Sequence, residues 1–156
     1  MNLMMNEEDL INNYKLSSIA LQEYNTLEFK GAKHNPEVVK YSKEFGGNGT
    51  DEMAWCSAFM NWCAKEAGLE RTNKLNARSW LSVGTPIDED ELQMGDVVIL
   101  WRESRNSWKG HVGLFMRKTN KHLYLLGGNQ NNRVKISKYG KYRVLGYRRL
   151  NREVII

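Results

Sequence analysis

Two periodicities divide the chain. Up to residue 84 apolar residues recur at helical spacing, whereas beyond it they alternate or run together as in strands. Residues 6–24 read as helical, with a break expected near Lys15 and with Leu10, Ile11, Tyr14 and Leu21 among the apolar positions. A loop follows through Gly31. Pro36 then suits the first turn of PEVVKYSKEF, a helix whose buried side is Val38, Val39, Tyr41 and Phe45 and which Gly46-Gly47 ends. A third helix is predicted over 51–68, DEMAWCSAFMNWCAKEAG. Thr50 or Asp51 can cap it, Glu52 suits its first turn, Gly68 can close it, and Trp55, Phe59, Trp62 and Cys63 repeat at helical spacing. Residues 77–83 form one more short helix, closed by Gly84.

From there the pattern changes. Residues 86–95 are acidic and turn-rich, and 96–101 (DVVILW) read as a buried strand whose turn Asp96 fixes. A polar loop, 102–110, precedes strands at 111–116 and 123–127, and two more follow at 133–137 and 144–150. Short strands joined by short loops imply a largely antiparallel sheet. Helices first and strands second is the α+β arrangement, with N-terminal helices packed on one face of a C-terminal sheet of about five to six strands.

Composition narrows the class. At 156 residues, with 41% hydrophobic and 10% aromatic residues and two prolines, one ordinary folded domain is expected. Two cysteines make no disulfide framework. The N-terminus, MNLMMNEEDL, does not resemble a signal peptide, and no run reaches the roughly 18 apolar residues of a membrane span. The expectation is a soluble chain made in the cytoplasm, needing another route for any work outside the membrane. A net charge of +5 favours an anionic partner: nucleic acid, a membrane surface or a cell-wall polymer.

The candidate chemistry centres on Cys56, which falls in the first turn of the 51–68 helix. The partial positive charge of a helix start favours thiolate over thiol. Cys63, about 10 Å along the same face, is too far for a disulfide within the helix. Both cysteines can equally be read as small core residues. The hairpin at 111–130 adds a geometric argument: with its turn near 118–121, paired positions sum to about 239 to 241, so His111 faces Gly128, Asn129 or Gln130. In the middle register His111 faces Asn129 and Gly113 faces Gly127. Asn129 would then orient the imidazole, and the paired glycines would leave a bare patch where a helix end brings Cys56 to His111. The alternative is a satisfied strand histidine beside a polar turn, with glycines marking a bulge or bend.

The strings WCSAFMNWC, MGDVVILW, GHVGLF and GYRRL resemble the papain-like cell-wall hydrolases of the CHAP and NlpC types, from about Gly31 through Arg149. Short single-domain phage and bacterial members, which carry a motif like LGGNQ at 126–130, are the most similar in pattern. The resemblance implies a papain-like α+β fold in a single catalytic domain over 1–156, with a helical segment at 1–30 and the core at 31–150. It implies cleavage of an amide of the peptidoglycan stem peptide or cross-bridge through an acyl-enzyme, with Cys56 as nucleophile and His111 as general base. Many CHAP domains carry a glutamate and, two residues later, an asparagine after the histidine; here these places hold Gly127 and Asn129. Asn129 is therefore the third-member candidate and Gln130 the fallback.

The backbone N–H of Cys56 is a natural oxyanion donor. No metal or other cofactor is called for, and His34, His111 and His122 show no zinc spacing. Trp55, Trp62, Trp80 and Trp101 are assigned to the core, whereas Trp108, Lys109 and Gln130 are substrate-binding candidates. The basic run of Lys135, Lys138, Lys141, Arg143, Arg148 and Arg149 is either a wall-binding surface or a solvated face. Peptidoglycan is the expected partner, with an inhibitor or immunity protein if the chain is a delivered antibacterial effector rather than a phage-type lysin. A monomer that binds no nucleic acid and enters no membrane is expected. The alternatives are a non-catalytic module binding wall polymer or another polyanion, and the same cysteine chemistry on a non-wall amide.

Overall fold

A computed structural model describes residues 5–24, 55–130 and 133–154, with Trp55, Asn129 and Gln130 described in backbone alone. The helix predicted at 36–45 and the caps at Thr50 and Asp51 lie outside the described residues. Among those described, no helix is long and apolar enough to cross a membrane.

Helix α1 (Glu7–Gln22) is capped by Asn6, whose side chain accepts the Asp9 N–H at 2.8 Å, and its acidic first turn suits the helix dipole. It runs unbroken through Lys15, correcting the expected break. Leu10, Ile11, Tyr14 and Leu21 are exposed, Tyr14 at 73%, whereas the buried stripe is Asn12, Asn13, Leu16, Ser17 and Ala20. Polar docking explains the inversion: Asn13 Nδ2 donates to the Met94 carbonyl (3.1 Å) and to Asp96 Oδ1 (2.9 Å). The helix can approach this turn because Gly95, at φ +93°, has no side chain; a Cβ there would lie 2.7 Å from the Asn13 carbonyl oxygen.

Helix α2 (Trp55–Glu66) ends as its sequence predicts. Gly68 adopts φ +72°, its N–H reaches the Lys65 carbonyl at 3.0 Å, and the Leu69 N–H reaches that of Ala64 at 2.9 Å, a Schellman closure. The helix predicted at 77–83 is a 3-10 helix over Ala77–Ser82, followed by Gly84 at φ +77°.

Among the described residues the sheet has six strands: β1 (Thr85–Pro86), β2 (Val97–Trp101), β3 (Gly110–Lys118), β4 (His122–Gln130), β5 (Arg133–Gly140) and β6 (Val144–Arg149). They lie in the order β1-β6-β2-β3-β4-β5, with every pair antiparallel. Alternation along the strands builds two cores. Val97, Ile99, Val112, Leu114, Leu126 and Val134 pack with Leu16, Phe59, Met60 and Trp80 of the helical layer. Val98, Leu100, Phe115, Leu123 and Leu125 form the second core on the opposite face, where Ile87, Leu92, Tyr139, Val144 and Tyr147 join them.

Asp96 does more than fix a turn. Its carboxylate accepts the Gln93 N–H (2.8 Å), Asn13 Nδ2 (2.9 Å) and a two-pronged contact from Arg149 (Nε 2.9 Å, Nη2 2.8 Å), so α1, β2 and β6 meet on one buried charge. Arg149 therefore leaves the basic run read as a solvated or wall-binding face. Arg148 bonds the Leu81 carbonyl, Arg143 bonds that of Trp101, and Lys141 pairs with Glu89 at 3.1 Å. Much of that run is internal wiring.

Candidate active site

Cys56 stands in the first described turn of α2 and is 1% exposed. Helix α2 packs its Ala58 and Phe59 into the core that contains Val112, and this delivers the cysteine to β3. The backbone N–H groups of Val112, Ser57 and Cys56 and the charge of Arg102 act in favour of the thiolate. Burial outweighs all of these and pushes the thiol up from its ordinary value. This direction is opposite to the shift that a helix start by itself would give.

Next to Val112 on the strand stands a histidine. His111, 6% exposed, precedes Val112 on β3 and pairs with Leu100 of β2. Its Nε2 lies 3.3 Å from Tyr139 Oη, with the two rings 5.2 Å apart. Tyr139 stands opposite Leu123 near the far end of β4, so the sheet must curl strongly to bring it here. A 3-10 turn, Lys141–Arg143, then returns the chain to Val144, which pairs with Leu100. Burial pushes the Tyr139 phenol well above its usual range; charge on Cys56 acts in the same direction, while Arg143 and Arg102 oppose it. Cys56, His111, Tyr139, Arg102 and Arg143 thus share one electrostatic neighbourhood.

The hairpin register agrees with the sequence argument as far as it is described: Leu114 pairs with Leu126 and Phe115 with Leu125, both summing to 240, before a bulge moves Arg117 onto Tyr124. Two details differ. The position a Cβ would take on Gly113 is filled by β4, at 3.1 Å from Leu125 Cβ and the Leu126 carbonyl oxygen, so no bare patch receives the helix end. The β4–β5 pairing also slips between Gly127–Lys135 and Gln130–Arg133, placing an extra residue in β4. Strict alternation therefore does not carry from Gly127 to Asn129 and Gln130, whose side chains lie outside the described residues.

Trp108 is 71% exposed in the loop leading to His111. Lys109 is not a free cation: its ammonium pairs with Glu103 at 2.7 Å and lies 5.6 Å from the Trp108 ring. Arg78 shapes this loop by donating to the carbonyls of Lys109 (2.9 Å), Arg105 (2.8 Å) and Ser104 (3.0 Å). Of the other tryptophans, Trp80 is fully buried and gives its indole N–H to Ser57 Oγ at 2.9 Å; Trp62 and Trp101 are half-buried, and the side chain of Trp55 lies outside the described residues. His122 is half-buried at the hairpin turn. Among the described residues the one acidic or His/Cys group compact enough to hold a metal ion is Asp88, Asp90 and Glu91, an outlying turn where Glu91 already bonds the Asp88 N–H.

Sequence reading missed Tyr139, Arg78, Arg102 and Arg143 at this site. The curl that brings Tyr139 and Arg143 to His111 leaves no local signal.

Comparisons with known proteins agree with this architecture. The model of the NlpC/P60 family matches residues 39–149. A Staphylococcus aureus protein described as similar to a lipoprotein of the NLP/P60 family is 18% identical at a TM-score of 0.53, over 96% of this chain and 43% of its own. NlpC1 from Trichomonas vaginalis is 17% identical at a TM-score of 0.59, over 97% and 48%. The P60 domain of an antigen from M. avium paratuberculosis is 14% identical at 0.50, over 93% and 98%. The chain spans under half the length of the first two. No curated protein matches. A papain-like sheet with a cysteine-bearing helix laid across it, matched by a family model over most of its length, places this chain in the NlpC/P60 family, whose members are generally cysteine peptidases and amidases.

Proposed function

We propose that this chain is a peptidoglycan hydrolase that cuts an amide of the stem peptide or cross-bridge with Cys56 as nucleophile and His111 as general base. The observation that carries the reading is that Cys56 is buried in one core with Val112, the neighbour of His111 on β3. His111 takes the thiol proton as sulfur attacks the amide carbonyl; the amine then leaves with that proton, and a thioester remains on Cys56. Water loses a proton to His111, adds to the thioester, and the thiol is restored as the acid product departs. The N–H of Cys56 is the proposed oxyanion donor. Trp108 is offered to substrate by its exposure, while Lys109 would act there together with its Glu103 partner. In this reading the protein is a monomer made in the cytoplasm, and it reaches the wall as a phage-type lysin or as a delivered effector with its own inhibitor.

The test is digestion of purified sacculi by the protein and by Cys56→Ala, with new termini read by mass spectrometry. Fragments from the unmodified protein alone support the reading, and the terminus distinguishes amidase from endopeptidase. No fragments from walls of several chemotypes would overturn it. A second reading draws support from the burial of Cys56: a module that binds wall polymer without cutting it. A thiol inert to alkylation in a folded protein that still binds sacculi would favour that reading.

A further inference from the structure

We propose that Tyr139 is a positioning residue for His111, holding the imidazole in the tautomer that can deprotonate Cys56. The inference rests on the Cys56–His111 reading above, and it adds a partner from a strand that is not next to β3. Tyr139 Oη meets His111 at Nε2 and not at Nδ1, at 3.3 Å, and the rings lie 5.2 Å apart at an interplanar angle of 31°. An imidazole that accepts a proton at one nitrogen must carry hydrogen on the other. If Nε2 is committed to Tyr139, the basic nitrogen is Nδ1. Nε2–H therefore donates to the phenol oxygen, and continues to do so when the ring becomes imidazolium.

The surroundings fit an acceptor of this kind. Tyr139 is held by Leu123 across β4 and by the guanidinium of Arg143, 5.5 Å from its ring. Arg143 is itself anchored to the Trp101 carbonyl at 3.1 Å, beside the Leu100–His111 pair. Charged and titratable groups acting on the pair among the described residues include Cys56 from α2, Arg102 from the loop after β2, and Arg143 from the turn before β6. A phenol kept protonated by burial remains a neutral hydrogen-bonding group beside the imidazole. The contact does not depend on Asn129, which lies at a bulge where alternation fails.

Histidine 15N chemical shifts provide a readout that does not depend on any substrate. In the unmodified protein, neutral His111 is expected as the Nε2–H tautomer; an Nδ1–H tautomer would overturn the proposal even if no variant folded. Tyr139→Phe keeps the ring and removes the acceptor. It should mix the tautomers and slow Cys56 alkylation at neutral pH roughly 2- to 13-fold, the range for one neutral hydrogen bond. A Tyr139→Phe protein with the parent's tautomer and alkylation rate would overturn the proposal. Tautomer loss in a protein that digests no sacculi would sink the substrate assignment and leave the positioning role intact.

Discussion

Replacing Asp96 tests whether one buried carboxylate holds α1 and the sheet together. Asp96→Ala removes the acceptor for Gln93 N–H, Asn13 Nδ2 and both prongs of Arg149, which itself is 9% exposed. Arg149 keeps one bond to the Glu91 carbonyl at 3.0 Å but loses its counter-charge. Removing one member of a buried ion pair costs about 3–5 kcal/mol, mostly because the other charge stays behind unpaired. At about 2–4 °C per kcal/mol for a chain of this size, the melting temperature should fall about 6–20 °C. Asp96→Asn keeps an oxygen for Asn13 and should cost less. Urea denaturation with a shared slope gives the difference directly. A loss below about 1 kcal/mol for Asp96→Ala would refute the junction, because it would mean that Arg149 finds water or another partner at no cost.

Gly110→Ala should destabilise the protein by about 1–3 kcal/mol, the range for overpacking a tight site. Its Cβ would sit 2.8 Å from the Leu100 carbonyl oxygen and 3.2 Å from Arg78 Cγ. Because that strain falls beside His111, Cys56 alkylation should slow as well; an unchanged melting temperature would show that the loop yields freely. Alkali should weaken the fold. Burial pushes up the Cys56 thiol and the Tyr139 phenol, and burial followed by the charge of Glu89 pushes Tyr147 up to about 12. The unfolded chain releases the same protons from about 9 for a thiol and 10 for a phenol, so it gains as pH rises past those values. Stability should be full below about pH 9 and decline toward pH 12, and a flat profile between pH 8 and 11 would contradict the burial of these groups.

The sequence is most readable where the cause is local. Gly68 closes α2 because the left-handed turn there suits glycine, and the hairpin pairs sum to 241 beside the turn and to 240 beyond the bulge, inside the range that the turn position predicts. The α+β order and the strand positions follow from apolar runs separated by turns. Readability fails where the cause is distant. Asn13 is buried on α1 beside Leu16 and Ala20 because it meets Asp96, 83 residues away, and no periodicity records that meeting. Arg149 resembles its basic neighbours until its carboxylate 53 positions earlier is known. Cys56 reads as an activated thiol from its helix start, yet the packing around it decides its proton. Tyr139 reaches His111 through the curvature of the sheet, and nothing in ISKYGKYR distinguishes it from a surface tyrosine.

The two cores also divide custody of the reacting atoms. The sulfur lies in the helical core, with Phe59 and Val112, whereas His111 is paired with Leu100 and meets Tyr139, both part of the second core. Two adjacent residues of one strand, His111 and Val112 of β3, join the two cores. A substitution that loosens either core should therefore shift Cys56 and His111 relative to one another, so the proposed pairing of base and nucleophile depends on the packing of both.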